Sequence, residues 1–206
     1  MAADDRPQIT LITPPLLDLE TFPTQLAAVM DAVEIACLRL SLATREEDSI
    51  ARAADACRLV AHARDVAIVI ENHLLFVDRH GLDGIHLTDG ARSVRSARKD
   101  LGQDAIVGAF CGATRHEGIN AGESGADYVA YGPIGQTPLG LGTSADFALF
   151  EWWSEMIEVP VIAEGALTRD LVERFGPVTD FFGLGPEIWS AANPAAALKA
   201  LIAPLG

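Results

Sequence analysis

The stretch ADYVAYGPIGQTPLG, residues 126–140, contains the unit from which this chain is built. A short run of apolar and aromatic residues, typical of a buried strand, ends in a loop rich in glycine and proline. Seven further strand-like runs occur along the chain, and longer stretches with helical periodicity fill most of the gaps. Eight short strands alternating with helices in 206 residues predict an α/β fold, a compact (βα)8 TIM barrel forming a single domain over residues 1–206.

The predicted strands are Ile9–Thr13, Ile35–Leu40, Ala67–Ile70, Gly84–Leu87, Ala105–Gly108, Tyr128–Tyr131, Val161–Ala163 and Phe181–Gly183. The clearest helix is predicted over Ser49–Arg64. Another is predicted to begin at Thr114, where Thr114-Arg115-His116-Glu117 forms a capping box. The alternative fold is an open doubly wound sheet, but Thr13-Pro14-Pro15 follows the first strand in place of a glycine-rich dinucleotide loop.

Composition excludes several classes of function. The net charge of −14 argues against a nucleic-acid-binding protein or a protein that binds anionic membranes. Charged residues interrupt every apolar run well before membrane-spanning length. The first residues, MAADDRPQ, do not resemble a secretory signal, and the widely spaced Cys37, Cys57 and Cys111 are typical of reduced thiols. We therefore expect a cytoplasmic protein.

In a barrel of this type, functional residues lie on the loops that follow the strands. After the seventh and eighth strands, Glu164-Gly165-Ala166 and Gly183-Leu184-Gly185-Pro186 offer small residues whose amides a phosphate can approach. We expect Gly165, Ala166, Gly183 and Gly185 to bind a phosphate. The alternative is that these are ordinary turn glycines.

Polar residues also follow the third and fourth strands. Glu71-Asn72-His73 and Asp89 supply carboxylate and amide oxygens, which are the ligands that Mg²⁺ prefers. Glu71, Asn72 and Asp89 are therefore candidate metal ligands, and a solvated polar loop is the alternative. The chain has no zinc motif.

Arg39 lies inside an apolar run on the second predicted strand, where an inward guanidinium needs a partner. A bound diphosphate or Glu71 on the neighbouring strand would serve equally well. Cys111 ends the fifth predicted strand and is either a reactive thiol or a small buried side chain.

Together these loops resemble the thiamine phosphate synthase and TenI family over nearly the whole chain. The segment from Ile70-Glu71-Asn72-His73 to Asp83-Gly84-Ile85-His86-Leu87 is similar to the family's Ile-Asn-Asp-Arg … Ala-Asp-Gly-Val-His-Leu, with identical spacing. Gly132-Pro133-Ile134 with Thr137 is the most specific match. Val159-Pro160-Val161-Ile162-Ala163 with Gly165 resembles the family's Pro-Val-Val-Ala-Ile-Gly-Gly.

The resemblance implies condensation of an aminopyrimidine diphosphate with a thiazole phosphate, helped by Mg²⁺. Its expected partners are small phosphorylated thiamine precursors, and a homodimer is one open arrangement. By alignment, Arg39 is a catalytic cation, Thr137 binds substrate, and Cys111 replaces a substrate-contacting serine. The family's Asn-Asp pair, a diphosphate contact and a metal ligand, falls on Glu71 and Asn72.

Several family residues are missing here. One lysine falls on Ser41, another is deleted after Thr137, and the second metal aspartate falls on Ala91, which leaves Asp89 nearby. The histidine of TenI-type tautomerases falls on Ala113. We therefore expect a synthase with weak or altered activity. The alternatives are a non-catalytic binder of a phosphorylated thiamine-pathway ligand and a TenI-like thiazole tautomerase.

Overall fold

The computed structural model describes residues 6–136 and 143–206. Eight parallel strands pair in sequence order, and the eighth pairs with the first, which closes the sheet. The predicted (βα)8 barrel is confirmed, and the open doubly wound sheet is wrong. The strands are β1 (Gln8–Ile12), β2 (Cys37–Leu40), β3 (Ala67–Glu71), β4 (Gly84–Leu87), β5 (Ile106–Phe110), β6 (Tyr128–Tyr131), β7 (Val161–Glu164) and β8 (Phe181–Leu184).

Helices follow the strands and cover the barrel. They are α1 (Phe22–Ala32), α2 (Glu47–His62), α3 (Leu74–His80), α4 (Val94–Leu101), α5 (Arg115–Glu123), α6 (Phe147–Met156), α7 (Arg169–Phe175), α8 (Pro186–Trp189) and α9 (Pro194–Ile202). As predicted, Thr114 caps α5, and its hydroxyl accepts a hydrogen bond from the Glu117 amide. None of the helices in the described ranges combines the length and the apolar character needed to cross a lipid bilayer.

The two faces of each strand differ in character. Outward residues such as Leu38, Ile68 and Phe182 are fully buried and share one apolar cluster with helix residues that include Leu26 and Phe150. This burial drives closure of the helical layer onto the barrel. The inward face carries polar side chains instead, and these build the candidate site.

Four strands, β3, β5, β7 and β8, end later than predicted, and two of these differences concern acidic residues. Glu71 is the last residue of β3 and Glu164 the last residue of β7, whereas both were predicted to begin loops. In the parallel ladder Glu71 is level with His86, and Glu164 is level with Gly183. Strand pairing therefore fixes the backbone of both carboxylates at the rim of the barrel.

Three aspartates tie the strands together at the opposite, N-terminal rim. Asp83, Asp127 and Asp180 each directly precede an even-numbered strand. Their carboxylates accept hydrogen bonds from the amides of Ile68, Val107 and Val161, at the start of β3, β5 and β7, with N···O distances of 2.7, 2.7 and 2.8 Å. This repeated contact lies away from the strand ends that carry function, so we assign it to stability.

Candidate functional site

Four polar side chains from four different strands meet inside the barrel. Nη2 of Arg39 (β2) donates to Oε2 of Glu164 (β7) at 2.8 Å, and its Nη1 lies 2.7 Å from Nε2 of His86 (β4). Nδ1 of His86 lies 2.9 Å from the hydroxyl of Tyr128 (β6). Side chains on non-adjacent strands of a closed barrel meet only across its interior. Arg39, Glu164, His86 and Tyr128 therefore form a continuous buried network.

The pair formed by Arg39 corrects a prediction. Arg39 is buried and bonds to Glu164, not to Glu71 on the neighbouring strand. The reason is register: Arg39 is level with Val69, so Glu71 lies two residues further along β3. Two residues correspond to about 6.6 Å along a strand. The long arginine side chain instead crosses the barrel to β7.

The network fixes the proton on His86. A guanidinium only donates hydrogen bonds, so Nε2 of His86 is the acceptor from Arg39 and Nδ1 carries the proton that points to the Tyr128 hydroxyl oxygen. Burial, together with the charge of Arg39, holds the pKa of His86 well below its ordinary value, which keeps the ring neutral. His86 is thus a neutral acceptor that orients the guanidinium.

Charge in this network is concentrated on Arg39 and Glu164. Burial lowers the pKa of Arg39, but the charge of Glu164 and weaker contributions from Tyr128 and Glu71 outweigh it, so the pKa lies above its ordinary value. Burial raises the pKa of Glu164 against the attraction of Arg39. Nε of Arg39 is also buried and has no hydrogen-bond partner within the described part of the chain. Arg39 therefore keeps one unused donor.

The predicted metal ligands do not converge. Oδ1 of Asn72 accepts from the Thr88 amide at 3.0 Å, its Nδ2 donates to the Thr88 hydroxyl at 2.7 Å, and Asn72 has a left-handed backbone with φ of 60°. Asp89 accepts from the Ser93 hydroxyl at 2.6 Å. Across residues 6–136 and 143–206, no three His, Cys, Asp or Glu side chains are grouped so that they could hold a metal ion. The side chain of Asn72 instead links the loop after β3 to the loop after β4 through its two hydrogen bonds with Thr88.

Glu71 differs from the other two candidates. Its carboxylate makes no hydrogen bond or ion pair with any described residue, and its side chain is half-buried at the rim of the barrel. It also acts on the network, because its charge contributes to raising the pKa of both Arg39 and Glu164. Of the predicted metal ligands, Glu71 alone keeps an uncommitted carboxylate.

The loop after β7 presents backbone amides. Gly165 and Ala166 both have left-handed backbones, with φ of 88° and 55°, and their amides have no acceptor among the described residues. The next amide, that of Leu167, donates to Oε1 of Glu187 at 3.1 Å. Oε2 of the same carboxylate accepts from the Gly185 amide at 2.9 Å, so Glu187 bridges the loops after β7 and β8.

Two of the four residues predicted to bind phosphate make other contacts here. Gly183 lies inside β8, and a Cβ added to it would stand 3.0 Å from Cβ of Glu164, so its missing side chain makes room for that residue. The Gly185 amide is taken by Glu187. Gly183 thus makes room for a carboxylate and the Gly185 amide binds one, and the binding of a phosphate at either residue stays a prediction. Gly165 and Ala166 remain candidates for a phosphate.

Cys111 follows β5 and is 2% exposed. Its Sγ lies 3.6 Å from the Ala109 carbonyl oxygen, to which it donates. Burial, with a smaller effect of Glu117, raises the pKa of the thiol to about 12, so it stays protonated. The structure does not support the predicted contact between Cys111 and substrate.

The loop after β6 packs on the loop after β7. The amides of Ile134 and Gly135 donate to the carbonyls of Glu164 and Gly165, both at 3.0 Å. A Cβ at Gly135 would lie 2.0 Å from the Ala166 carbonyl oxygen, so only glycine permits this approach. Thr137, the predicted substrate contact on this loop, lies outside the described residues.

Several site residues were not predicted from the sequence. His86 and Tyr128 were assigned to strands without a role, and Glu164 and Glu187 were treated only as neighbours of glycines. One signal in the sequence pointed to the acceptors of Arg39, since a buried arginine needs a hydrogen-bond partner. Glu164 stands where the family motif quoted above has isoleucine, and a carboxylate in that position marks it as the acceptor.

Comparison with known proteins shows the family of this chain. A family model described as thiamine monophosphate synthase matches residues 9–175. A thiamine-phosphate synthase of Rhodospirillum centenum is 39% identical over 198 residues, covering 93% of this chain and 94% of that protein. A thiamine-phosphate synthase of Erythrobacter litoralis is 32% identical over 199 residues, covering 92% of this chain and 91% of that protein.

A solved structure shows the same fold. Thiamine phosphate pyrophosphorylase from Pyrococcus furiosus matches with a TM-score of 0.81 and 15% identity, covering 96% of this chain and 95% of that chain. The fold, the family match and the identity to curated relatives confirm the resemblance first noted in the loop motifs. The chain belongs to the thiamine monophosphate synthase family.

Proposed function

We propose that this protein is a thiamine-phosphate synthase of thiamine biosynthesis with weak or altered activity. The reaction forms a bond between the thiazole nitrogen and the pyrimidine methylene carbon, and it breaks the bond from that carbon to the diphosphate oxygen. The diphosphate leaves with the bonding electrons. The observation that carries the proposal is the buried Arg39 inside a family barrel, because a leaving diphosphate needs a fixed cation.

Arg39 supplies that cation at a position set by its neighbours. Glu164 and His86 each hold one nitrogen of the guanidinium, and the buried Nε keeps an unused donor that an oxygen of the leaving group would reach only by entering the barrel. Preorganised donors of this kind stabilise charge that develops in the transition state. Glu164 and His86 act as positioning residues in this account, since they touch Arg39 rather than the substrate.

The same contacts explain why activity would be low. Glu164 already neutralises much of the charge of Arg39, and Ser41 stands where the family has a lysine. Loss of one charge contact in a transition state costs about 3 kcal/mol, which corresponds to roughly a hundredfold in rate. A synthase whose leaving-group cation, Arg39, is already paired with a carboxylate would therefore turn over slowly.

The thiazole phosphate is assigned to the loop after β7. The amides of Gly165 and Ala166 have no acceptor among the described residues, which is the arrangement that a phosphate requires. Thr137 remains a candidate for the same substrate on the grounds of sequence alone. Gly183 lies inside β8 and the Gly185 amide is held by Glu187, so the free donors of this assignment are the two amides of the loop after β7.

The residues present fit Mg²⁺ only in part. Asn72 and Asp89 are committed to Thr88 and Ser93, and Glu71 is the one candidate ligand with an uncommitted carboxylate. Mg²⁺ commonly binds through one or two carboxylates together with substrate phosphates. Glu71 would hold such an ion, whose chemistry is to offset the charge of the diphosphate. No step of the mechanism above depends on it.

A non-catalytic binder is the second candidate function. The closed contact between Arg39 and Glu164 favours it, because a cation that is already paired gives little to a leaving group. Such a protein would bind the thiazole phosphate and release no diphosphate. The tautomerase alternative has no comparable support, since Ala113 stands where those enzymes have a histidine.

We infer a cytoplasmic protein that binds small phosphorylated thiamine precursors, in line with three unpaired cysteines and a net charge of −14. A homodimer stays a prediction, and analytical ultracentrifugation would measure it.

The test is condensation of the two precursors with Mg²⁺, followed by chromatographic detection of thiamine phosphate. Under the synthase proposal the wild type forms product slowly, and a variant with Arg39→Met and Glu164→Leu forms none. This double variant removes both charges and so avoids leaving one of them buried alone. A wild type that binds thiazole phosphate by calorimetry and yields no product would leave the binder as the function.

A further inference from the structure

Glu187 carries a carboxylate at the place where this fold commonly binds a phosphate. The residue lies in the short helix α8 and is half-buried. Both of its carboxylate oxygens are engaged, one by the Leu167 amide at 3.1 Å and the other by the Gly185 amide at 2.9 Å. The two donors come from the loops after β7 and β8, which together form the usual phosphate site of such barrels.

The surroundings of Glu187 disfavour a second anion. Burial raises the pKa of Glu164, and the charges of Glu71 and Glu187 add to this effect, so negative charge is already concentrated near the loop after β7. Of these three carboxylates, Arg39 contacts that of Glu164, with which its guanidinium is paired. An incoming phosphate that approached the Gly165 and Ala166 amides would meet the Glu187 carboxylate on the next amide of the same loop, that of Leu167.

We propose that Glu187 is a specificity-determining residue that acts as an internal competitor for the substrate phosphate. While its carboxylate accepts hydrogen bonds from the amides of Leu167 and Gly185, these two donors are not available to a phosphate, and only the amides of Gly165 and Ala166 are free. A phosphate binds fully when Glu187 turns away and releases these two donors. This inference rests on the proposed function, in which the loop after β7 receives the thiazole phosphate.

The competition has a consequence for selectivity. Every anion that enters must overcome the same two hydrogen bonds and the same repulsion, whatever else it carries. A phosphate attached to a thiazole gains further contacts through the ring, whereas free inorganic phosphate gains none. The site would therefore reject inorganic phosphate while it still accepts a phosphorylated substrate.

The test measures binding of inorganic phosphate by calorimetry in the wild type, Glu187→Gln and Glu187→Ala. Glutamine keeps the size and one acceptor but loses the charge, and alanine removes the competitor. Each charge-assisted hydrogen bond typically contributes enough to change affinity by about ten- to a hundredfold. We expect phosphate to bind at least about tenfold more tightly to Glu187→Ala than to the wild type, with Glu187→Gln in between.

A matched control is Glu151→Ala, which makes the same change of net charge on the exposed face of α6. Its phosphate affinity should equal that of the wild type. The inference is overturned if folded Glu187→Gln or Glu187→Ala binds phosphate no more tightly than the wild type, or if none of the proteins binds it. If alanine prevents folding, the glutamine variant decides. Because phosphate binding is measured without turnover, absence of synthase activity leaves this result unaffected.

Discussion

Replacing Glu164 with glutamine tests the buried ion pair. The side chains of Arg39 and Glu164 are 6% and 12% exposed, and their contact is 2.8 Å. Glutamine keeps an oxygen that accepts from Nη2, so the hydrogen bond survives while the compensating charge is lost. Breaking a buried pair typically costs 3–5 kcal/mol, and the retained hydrogen bond points to the lower end, about 3 kcal/mol. For a chain of this size that is a decrease in Tm of roughly 6–12 °C.

The same substitution should free Arg39 for an added anion. Inorganic pyrophosphate should therefore raise the Tm of Glu164→Gln more than that of the wild type, because it restores the missing negative charge. Thermal unfolding with and without pyrophosphate measures both effects. The control is Glu71→Gln, which changes a rim carboxylate that has no contact with Arg39 and should cost less than about 1 kcal/mol. A Glu164→Gln protein with wild-type Tm and no added response to pyrophosphate would refute the role given to the pair.

Three further predictions concern other parts of the structure. The pKa of His86 is depressed in the folded state, so the unfolded chain takes up a proton first as pH falls below about 6.5. The free energy of unfolding should then decrease by up to about 1.4 kcal/mol per pH unit. Urea titrations of the His86→Gln variant should lack this pH dependence. Mg²⁺-dependent binding of pyrophosphate, measured by calorimetry, should disappear in Glu71→Gln if that carboxylate holds the ion, and unchanged binding would exclude it. Asp180→Ala should lower the free energy of unfolding by about 1–2 kcal/mol, because it removes the 2.8 Å hydrogen bond from the Val161 amide. Asp180→Asn keeps an acceptor and should lose less stability. Equal losses in the two variants would show that the hydrogen bond is not the cause.

Local patterns were sufficient to predict the barrel. Each strand is a short apolar run closed by turn residues, and this signal depends only on neighbours in sequence. The cap at Thr114 was predicted for the same reason, since a hydroxyl three residues before a glutamate is a local pattern. Ends of strands were less accurate: β3 and β7 were predicted to end one residue before Glu71 and Glu164, which are their last residues.

The partners inside the barrel depend on geometry that no local pattern contains. The apolar run around Arg39 showed that it needed an acceptor, and topology suggested Glu71 on the next strand. The actual choice of Glu164 reflects the stagger of the ladder and the reach of an arginine side chain across the interior. The space for Glu164 depends in turn on Gly183, a residue 19 positions away that was interpreted as part of a phosphate loop.

The loops after β7 and β8 illustrate a second limit. Small residues at Gly165 and Gly185 predicted free amides, but sequence alone does not tell which amides are already satisfied. Glu187 follows Gly185 by two residues and folds back onto its amide, a contact that depends on the backbone of the loop. Residue type therefore indicated which loops expose backbone amides, but it did not indicate which of those amides are already hydrogen-bonded.

The most direct test of the central claim is single-turnover release of diphosphate from the aminopyrimidine substrate in the presence of thiazole phosphate. The wild type, at a concentration above that of the substrate, should release diphosphate and form an equal amount of thiamine phosphate. The variant with both Arg39→Met and Glu164→Leu should bind thiazole phosphate with unchanged affinity and release no diphosphate above the rate without enzyme. Equal release by the two proteins would contradict the role of Arg39, and no release by the wild type would contradict the synthase itself.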